Sequence, residues 1–137
     1  SRSATLIKTE LMKKIIHTHH APAPIGPYSQ AVRMGNTVYT SGQIAIDAKT
    51  GLLIQGSISD ETHQVMRNMQ AVLEAAGLGF EHVLKSTIFI TNMDDFGAIN
   101  DVYASYFDSD HAPARETVQV ARLPKDVRVE ISMIAAD

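Results

Sequence analysis

Two segments of this chain have the hydrophobic periodicity of an amphipathic helix. In the first, apolar side chains recur at spacings of four, three and four residues, at Val65, Met69, Val72 and Ala76. Ser59 is predicted to cap the start of this helix, and Gly77 is predicted to end it. The second segment opens at Asn92 or Asp94, and Pro113 prevents it from running further. Its apolar stripe consists of Phe96, Ile99, Val102, Tyr103, Tyr106 and Phe107.

Short apolar segments bounded by turn-forming residues occupy most of the rest, which is typical of β-strands. Gly35-Asn36 lies between two of these segments and indicates a tight hairpin. Three prolines and one glycine within residues 21–27 exclude a helix there and favour a rigid, extended loop. The predicted strands are residues 13–18, 31–34, 37–41, 83–91, 117–121 and 127–135.

The resulting order, β-β-β-α-β-α-β-β, predicts an α+β fold: a two-layer sandwich of one mixed sheet with both helices on one face. The other face of that sheet also carries Ile, Val and Met side chains. Exposed apolar areas of that size usually mark interfaces, so we expect self-association. The chain has the size of one domain, which we assign to residues 12–137. Residues 1–11 are interpreted as a leader or the remnant of an expression tag, without fixed structure.

Composition excludes several kinds of chemistry. The chain has no cysteine, which rules out disulfides, thiolate catalysis and cysteine-based zinc sites. It has 15 acidic and 12 basic residues and a formal net charge of −3, so nucleic-acid binding is not expected. No apolar run approaches the roughly 18 residues that span a bilayer. His17, His19 and His20 are close in sequence, but no Cys, Asp or Glu accompanies them, so we expect no metal. No phosphate-binding glycine loop is present, and we expect no cofactor.

Arg115 and Glu130 are the strongest candidates for chemistry. Both charges lie in strand-like sequence near the C-terminus, and we expect them to face one small volume. A guanidinium matches a carboxylate with two parallel hydrogen bonds, so Arg115 suits a small α-imino or α-keto acid. Glu130, in a half-buried cleft, would hold and polarise a water molecule. The alternatives are a structural ion pair of Arg115 with Glu130 or Glu116, and a solvated position for Glu130 at the rim.

Three further positions are weaker candidates. Tyr28 follows the proline-rich loop and either binds a flat substrate through its ring or hydroxyl, or simply packs over that loop. Ser41-Gly42 offers a hydroxyl and an unobstructed backbone N–H at a strand end, or forms an ordinary turn. Asn100 either hydrogen-bonds into the site or lies on the helix surface.

Several ordered motifs resemble those of the YjgF/RidA family, whose members are typified by reactive intermediate imine deaminase A. The resemblance covers the chain from residue 12 to its C-terminus. The motifs that carry it are Ile25–Ala31, Thr40–Ile44, Glu74–Leu78, Pro113–Arg115 and Val120–Val127, together with Asn68.

The resemblance implies a chorismate-mutase-like fold that assembles as a homotrimer, with sheets forming a central barrel and sites in the clefts between subunits. It implies a cytoplasmic 2-iminobutanoate/2-iminopropanoate deaminase that needs no cofactor. Such an enzyme hydrolyses 2-aminoacrylate, 2-iminopropanoate and 2-iminobutanoate to 2-keto acids and ammonia.

The resemblance also implies residue roles. Arg115 matches the arginine that grips the substrate carboxylate, and Glu130 matches the glutamate that positions the attacking water. Four matched positions line the cleft: Tyr28, Ser41, Gly42 and Asn100. Many relatives have Cys where this chain has Thr117, so thiol chemistry is not essential here, and the backbone carbonyl of Thr117 is still expected to hold the water. Glu116 replaces a small neutral residue, and strand alternation is expected to point it away from Arg115.

Two other functions stay open at this point. Some members of the family are described as endoribonucleases or translation inhibitors that act on single-stranded RNA, which requires phosphate contacts. A non-catalytic module that binds small carboxylates, or acts like a chaperone, would keep Arg115 and tolerate loss of Glu130.

Overall fold

The computed structural model describes residues 12–137, so the interpretation of residues 1–11 lies outside the described part. Within that part, two helices pack against one face of a six-stranded sheet. The strands are β1 (Lys14–Ile16), β2 (Ala31–Met34), β3 (Thr37–Thr40), β4 (Val83–Ile90), β5 (Ala114–Gln119) and β6 (Val129–Ala136). The helices are α1 (Ile58–Ala75) and α2 (Phe96–Ala104).

The strand order is β1-β2-β3-β6-β4-β5. β4 and β5 are parallel, and the other neighbouring strands are antiparallel, so the sheet is mixed. The predicted α+β class and element order are therefore confirmed. α2 lies between β4 and β5 in the chain, as parallel neighbours require a crossover connection.

The start of α1 differs from the prediction. Ser57, not Ser59, is the N-cap, and its side chain accepts a hydrogen bond from the backbone N–H of Asp60. Both serines meet the sequence rule for a cap, but the helix already begins at Ile58, so Ser59 lies in its first turn. Gly77 has a φ of 77° and follows the helix end, as predicted.

α2 is shorter than its apolar stripe suggested. A 3₁₀ turn (Met93–Asp95) precedes the helix, and the Asn92 side chain accepts a hydrogen bond from the Asp94 N–H. The helix ends at Ala104, so Tyr106 and Phe107 follow it. The Ser105 hydroxyl donates to the Val102 carbonyl, a local bond that competes with continued helix.

β5 begins three residues earlier than predicted. Its parallel register with β4 runs from the pair Lys85–Ala114 to the pair Ile90–Gln119, which draws Arg115 into the sheet. Pairing with β4 is a tertiary interaction, and it overrides the weaker local signal of a strand that starts at Thr117.

The main core fills the space between the helices and one face of the sheet. The fully buried side chains of the helices include Val65, Met66, Met69, Val72, Leu73 and Ile99. They pack against alternate residues of the strands, among them Val38, Ile88, Ile90, Val129, Ile131, Met133 and Ala135. Because strand side chains alternate, the intervening residues point to the opposite face, here named the open face.

The open face carries exposed apolar side chains. Ile15, Met34, Tyr39 and Val118 are 56%, 44%, 48% and 42% exposed, and the strand register places them all on this side. At one end, a small second cluster of Ile44, Ile46, Leu123 and Val127 covers Phe89. The rest of the open face is available to another molecule.

Candidate functional site

Arg115 lies on the helical face of the sheet, where its guanidinium is the positive charge of a candidate anion-binding site. It pairs across β4–β5 with Ser86, which is fully buried against the helices. Its Nη1 donates a hydrogen bond of 2.7 Å to Asn100 Oδ1. The guanidinium carbon lies 5.1 Å from the centre of the Tyr103 ring and 5.7 Å from that of Phe96. None of the ion pairs among the described residues includes Arg115, so its fork is available to an incoming carboxylate.

Tyr103 supports this guanidinium as a neutral ring. Burial raises the pKa of the Tyr103 hydroxyl, and its bond to Ser86 and the charge of Arg115 only partly oppose that shift. The hydroxyl donates a 2.9 Å hydrogen bond to Ser86 Oγ, which fixes the ring plane beneath the cation. The attraction between the ring face and the guanidinium then limits where the fork can point.

Thr117 lies on the same face of β5 as Arg115, two residues further along the strand. It pairs with Ile88, which is buried in the core. Its Oγ1 is the one buried side-chain nitrogen or oxygen of the described residues that has no hydrogen-bond partner. Buried side-chain oxygens in folded proteins almost always have a hydrogen-bond partner, so this exception requires an explanation.

Glu116 points to the open face, as strand alternation predicted. Its carboxylate accepts a 2.6 Å hydrogen bond from Thr87 Oγ1 and lies 3.2 Å from Lys85 Nζ. These two contacts, the Thr87 bond above all, lower the pKa of Glu116. It therefore stays ionised on the far side of the sheet and does not compete for Arg115.

Glu130 also lies on the open face, in a half-buried position against Gly42. It pairs with Phe89, and a Cβ at Gly42 would stand only 2.8 Å from the Glu130 carboxyl carbon. Only glycine permits this close approach. Burial raises the pKa of Glu130, and no hydrogen bond or cation among the described residues contributes to oppose that shift. A carboxylate in this state suits proton transfer from a water molecule.

Tyr28 and Ser41 border the same side of the sheet. Tyr28 is 46% exposed, and its hydroxyl accepts a 3.2 Å hydrogen bond from the Ile25 N–H, which holds the ring over the proline-rich loop. The Ser41 hydroxyl donates a 2.5 Å hydrogen bond to the Ser29 carbonyl, so it can offer only an acceptor to a ligand. Both line an open depression of about 390 Å³ on the open face.

The seven predicted site residues thus form two groups. The Arg115 half-site contains Asn100, Arg115 and Thr117, and the Glu130 half-site contains Tyr28, Ser41, Gly42 and Glu130. The expectation that Arg115 and Glu130 face one small volume is wrong within a single chain.

The reason lies in the strand order. β4 separates β5 from β6, and along β4 Arg115 pairs with Ser86 whereas Glu130 pairs with Phe89. Ser86 and Phe89 are three residues apart, an odd number, so they point to opposite faces. The sheet itself therefore stands between the two charges.

The sequence did not identify three residues that position the Arg115 guanidinium: Phe96, Tyr103 and Ser86. Phe96 and Tyr103 were assigned only to the apolar stripe of α2. One signal was present, because Phe96, Asn100 and Tyr103 are spaced by four and three residues and therefore share one helical face. Nothing in the sequence indicated Ser86.

Other features of the described residues lie apart from both half-sites. A cavity of about 730 Å³ near the ends of both helices contains none of the seven residues. No group of three or more His, Asp or Glu side chains in residues 12–137 is arranged to hold a metal ion. Neither helix of this part combines the length and apolarity needed to cross a bilayer.

Comparison with known proteins identifies the family. A family model described as Endoribonuclease L-PSP matches residues 18–137. A 2-iminobutanoate/2-iminopropanoate deaminase of Dermatophagoides farinae is 55% identical over 122 residues, which cover 89% of this chain and 94% of that protein. The chain belongs to the YjgF/RidA family, as its motifs predicted.

Solved structures agree with this assignment. YyfA from Yersinia pestis, described as a protein of unknown function of the conserved Rid protein family, is 46% identical with a TM-score of 0.89, covering 92% of this chain and 100% of that one. E. coli TdcF, crystallised with bound serine, is 46% identical with a TM-score of 0.85, covering 90% of this chain and 98% of that one.

Proposed function

We propose that this protein hydrolyses 2-iminobutanoate and 2-iminopropanoate to the corresponding 2-keto acids and ammonia. The observation that carries the proposal is that two groups, the exposed fork of Arg115 and the half-buried carboxylate of Glu130, have no partner of opposite charge in residues 12–137. The Dermatophagoides farinae relative is named as a 2-iminobutanoate/2-iminopropanoate deaminase, which supports this reaction. The serine bound to E. coli TdcF supports a ligand with a carboxylate next to a nitrogen-bearing carbon.

The two half-sites would meet between copies of the chain. Because the sheet separates Arg115 from Glu130, a complete site requires the Arg115 half-site of one copy to face the Glu130 half-site of the next. The exposed apolar residues of the open face favour such an assembly. Head-to-tail contacts form a ring when the rotation from one copy to the next closes, and the homotrimer implied by the family resemblance would be such a ring.

In this composite site each group would have one task. The Arg115 fork binds the substrate carboxylate with two hydrogen bonds and orients the adjacent imine carbon. Glu130 takes a proton from a water molecule as the water oxygen bonds to that carbon and the C=N electron pair moves to nitrogen. Proton transfer to the nitrogen then lets the C–N bond break, and ammonia leaves as the carbonyl of the 2-keto acid forms. Placement of water and imine in contact supplies much of the rate gain.

We also propose that residues 12–137 act as one domain, because one core joins both helices to the sheet. The cytoplasmic location implied by the resemblance stays a prediction.

In the decisive experiment, a serine dehydratase generates 2-aminoacrylate in the assay mixture, and the rate at which pyruvate appears is measured. The wild-type protein is expected to accelerate pyruvate release, whereas Arg115→Ala and Glu130→Gln are expected to lose the acceleration. Arg67→Ala removes an exposed arginine outside both half-sites and serves as the matched control. A wild-type protein without effect on pyruvate release would overturn the proposal.

Binding measurements separate the other candidate functions. Glu130→Gln is expected to keep its affinity for pyruvate while losing turnover, because Arg115 is intact. If Glu130→Gln turned over normally, the role proposed for Glu130 would be ruled out, whereas a wild-type protein that binds pyruvate and turns over no imine would favour the non-catalytic module. The family model carries the description of an endoribonuclease, so single-stranded RNA belongs in the same assay. RNA cleavage that survives Arg115→Ala would indicate another site.

A further inference from the structure

The hydroxyl of Thr117 is the most unusual polar atom of the Arg115 half-site. Its oxygen is buried and has no hydrogen-bond partner among the described residues. A buried hydroxyl without a partner destabilises the folded chain, whereas valine has nearly the same shape and carries no polar atom. A threonine at this position therefore calls for a ligand that completes its hydrogen bonding.

Its position places it next to the cation that would receive the substrate. Thr117 and Arg115 share the helical face of β5 and are two residues apart, which corresponds to about 7 Å between their Cα atoms. The Arg115 side chain is exposed. Among the described residues it makes one side-chain hydrogen bond, to Asn100, and it lies over the rings of Phe96 and Tyr103. Because the Thr117 oxygen is buried, its contact with a ligand requires a side-chain movement in this half-site when the carboxylate binds.

The Arg115 half-site contains a strong donor, the guanidinium, whose one side-chain acceptor among the described residues is Asn100. A guanidinium only donates, and the Asn100 Oδ1 oxygen already accepts from Arg115. An α-imino acid presents carboxylate oxygens, which need donors, and a neighbouring N–H group, which needs an acceptor. The Thr117 hydroxyl has no partner among the described residues, so its oxygen is able to accept such a bond.

We infer that the Thr117 hydroxyl accepts a hydrogen bond from the α-nitrogen of the substrate whose carboxylate lies on Arg115. The inference rests on the proposed function and adds a specificity-determining residue to it. A 2-keto acid has no N–H at that position, so Thr117 favours the nitrogen-bearing substrate over the product. Discrimination of this kind limits product inhibition without weakening the grip of Arg115 on either molecule.

The test compares Thr117→Val, which removes only the hydroxyl, with Thr117→Ser, which keeps it. Serine and pyruvate are the probes, because both have a carboxylate and only serine has α-nitrogen donors. By calorimetry, Thr117→Val is expected to lose about tenfold in affinity for serine, the size of one lost hydrogen bond, and to bind pyruvate within about twofold of wild type. Thr117→Ser is expected to bind both probes like wild type, and Thr117→Val is expected to melt at a higher temperature.

Each other outcome is decisive. If Thr117→Val binds serine and turns over imine like wild type, the inference is overturned and the hydroxyl is only a strained core group. If Thr117→Val lost equal affinity for serine and pyruvate, the hydroxyl would bind the carboxylate that both probes share, and the inference would also be overturned. A wild-type protein that binds neither probe overturns it as well. A wild-type protein that hydrolyses no imine overturns the proposed function, whatever the Thr117 variants bind.

Discussion

A mixture of Arg115→Ala chains and Glu130→Gln chains is expected to recover activity that neither variant has alone. The reason is the sheet that separates the two side chains, which makes each proposed site depend on two copies. A site in a mixed ring works only when its arginine comes from a Glu130→Gln chain and its glutamate comes from an Arg115→Ala chain. No single chain needs to contain both intact residues.

The size of the recovery follows from this arrangement. If a fraction x of the chains carries Arg115→Ala and the rings assemble at random, the working fraction of sites is x(1 − x). At equal mixing about one quarter of the sites are intact, and this value holds for any closed head-to-tail ring. Activity plotted against x is therefore expected to follow a parabola that peaks at equal mixing.

The assay unfolds differently tagged variants together, lets them reassemble and measures pyruvate release from 2-aminoacrylate. Native mass spectrometry confirms that mixed assemblies are present. Arg115→Ala mixed with the double variant Arg115→Ala/Glu130→Gln is the control, and it is expected to stay inactive at every ratio. Mixed assemblies that show no recovery from the two single variants would refute the composite site.

Three further predictions concern the Glu130 half-site and the helices. Gly42→Ala is expected to lower kcat/KM at least about tenfold, because the added methyl would stand 2.8 Å from the Glu130 carboxyl carbon and displace it. Gly97→Ala, which meets open space in α2, should keep activity and gain about 0.5–1 kcal/mol of stability. Because burial raises the pKa of Glu130, the acid limb of the kcat/KM profile should lie above the usual carboxyl range. The folded chain then holds this proton more tightly than the unfolded chain, so ionisation of Glu130 lowers stability as pH rises through the folded pKa, and Glu130→Gln should remove that dependence in thermal melts. Ser57→Ala should cost about 1 kcal/mol of unfolding free energy through the lost cap, and Ser59→Ala much less; equal losses would contradict the cap assignment.

Much of the fold was predictable because its signals are local. The spacing of apolar residues in α1, the hairpin at Gly35-Asn36 and the ending at Gly77 each depend on neighbours in the sequence. The choice between Ser57 and Ser59 was not predictable, because both residues satisfy the capping rule and tertiary packing decides where the first turn begins.

The sequence was enough to predict which residues belong to the site, but not where their side chains lie relative to the sheet. Arg115 and Glu130 each lack an oppositely charged partner among the described residues, as a binding role requires. Their separation depends on the insertion of β4 between β5 and β6, a long-range pairing that strand parity alone does not reveal. The isolation of the Thr117 hydroxyl is likewise a property of packing, since threonine is an ordinary strand residue by propensity.

The position of Glu130 and Arg115 on opposite sides of one sheet has a kinetic consequence. A lone chain would hold two halves of two different sites and no whole one, so the protein is expected to be inert at high dilution. Its turnover per milligram should rise with concentration and then level off once association is complete. Expression level would thereby set how well each molecule works, as well as how many molecules a cell contains.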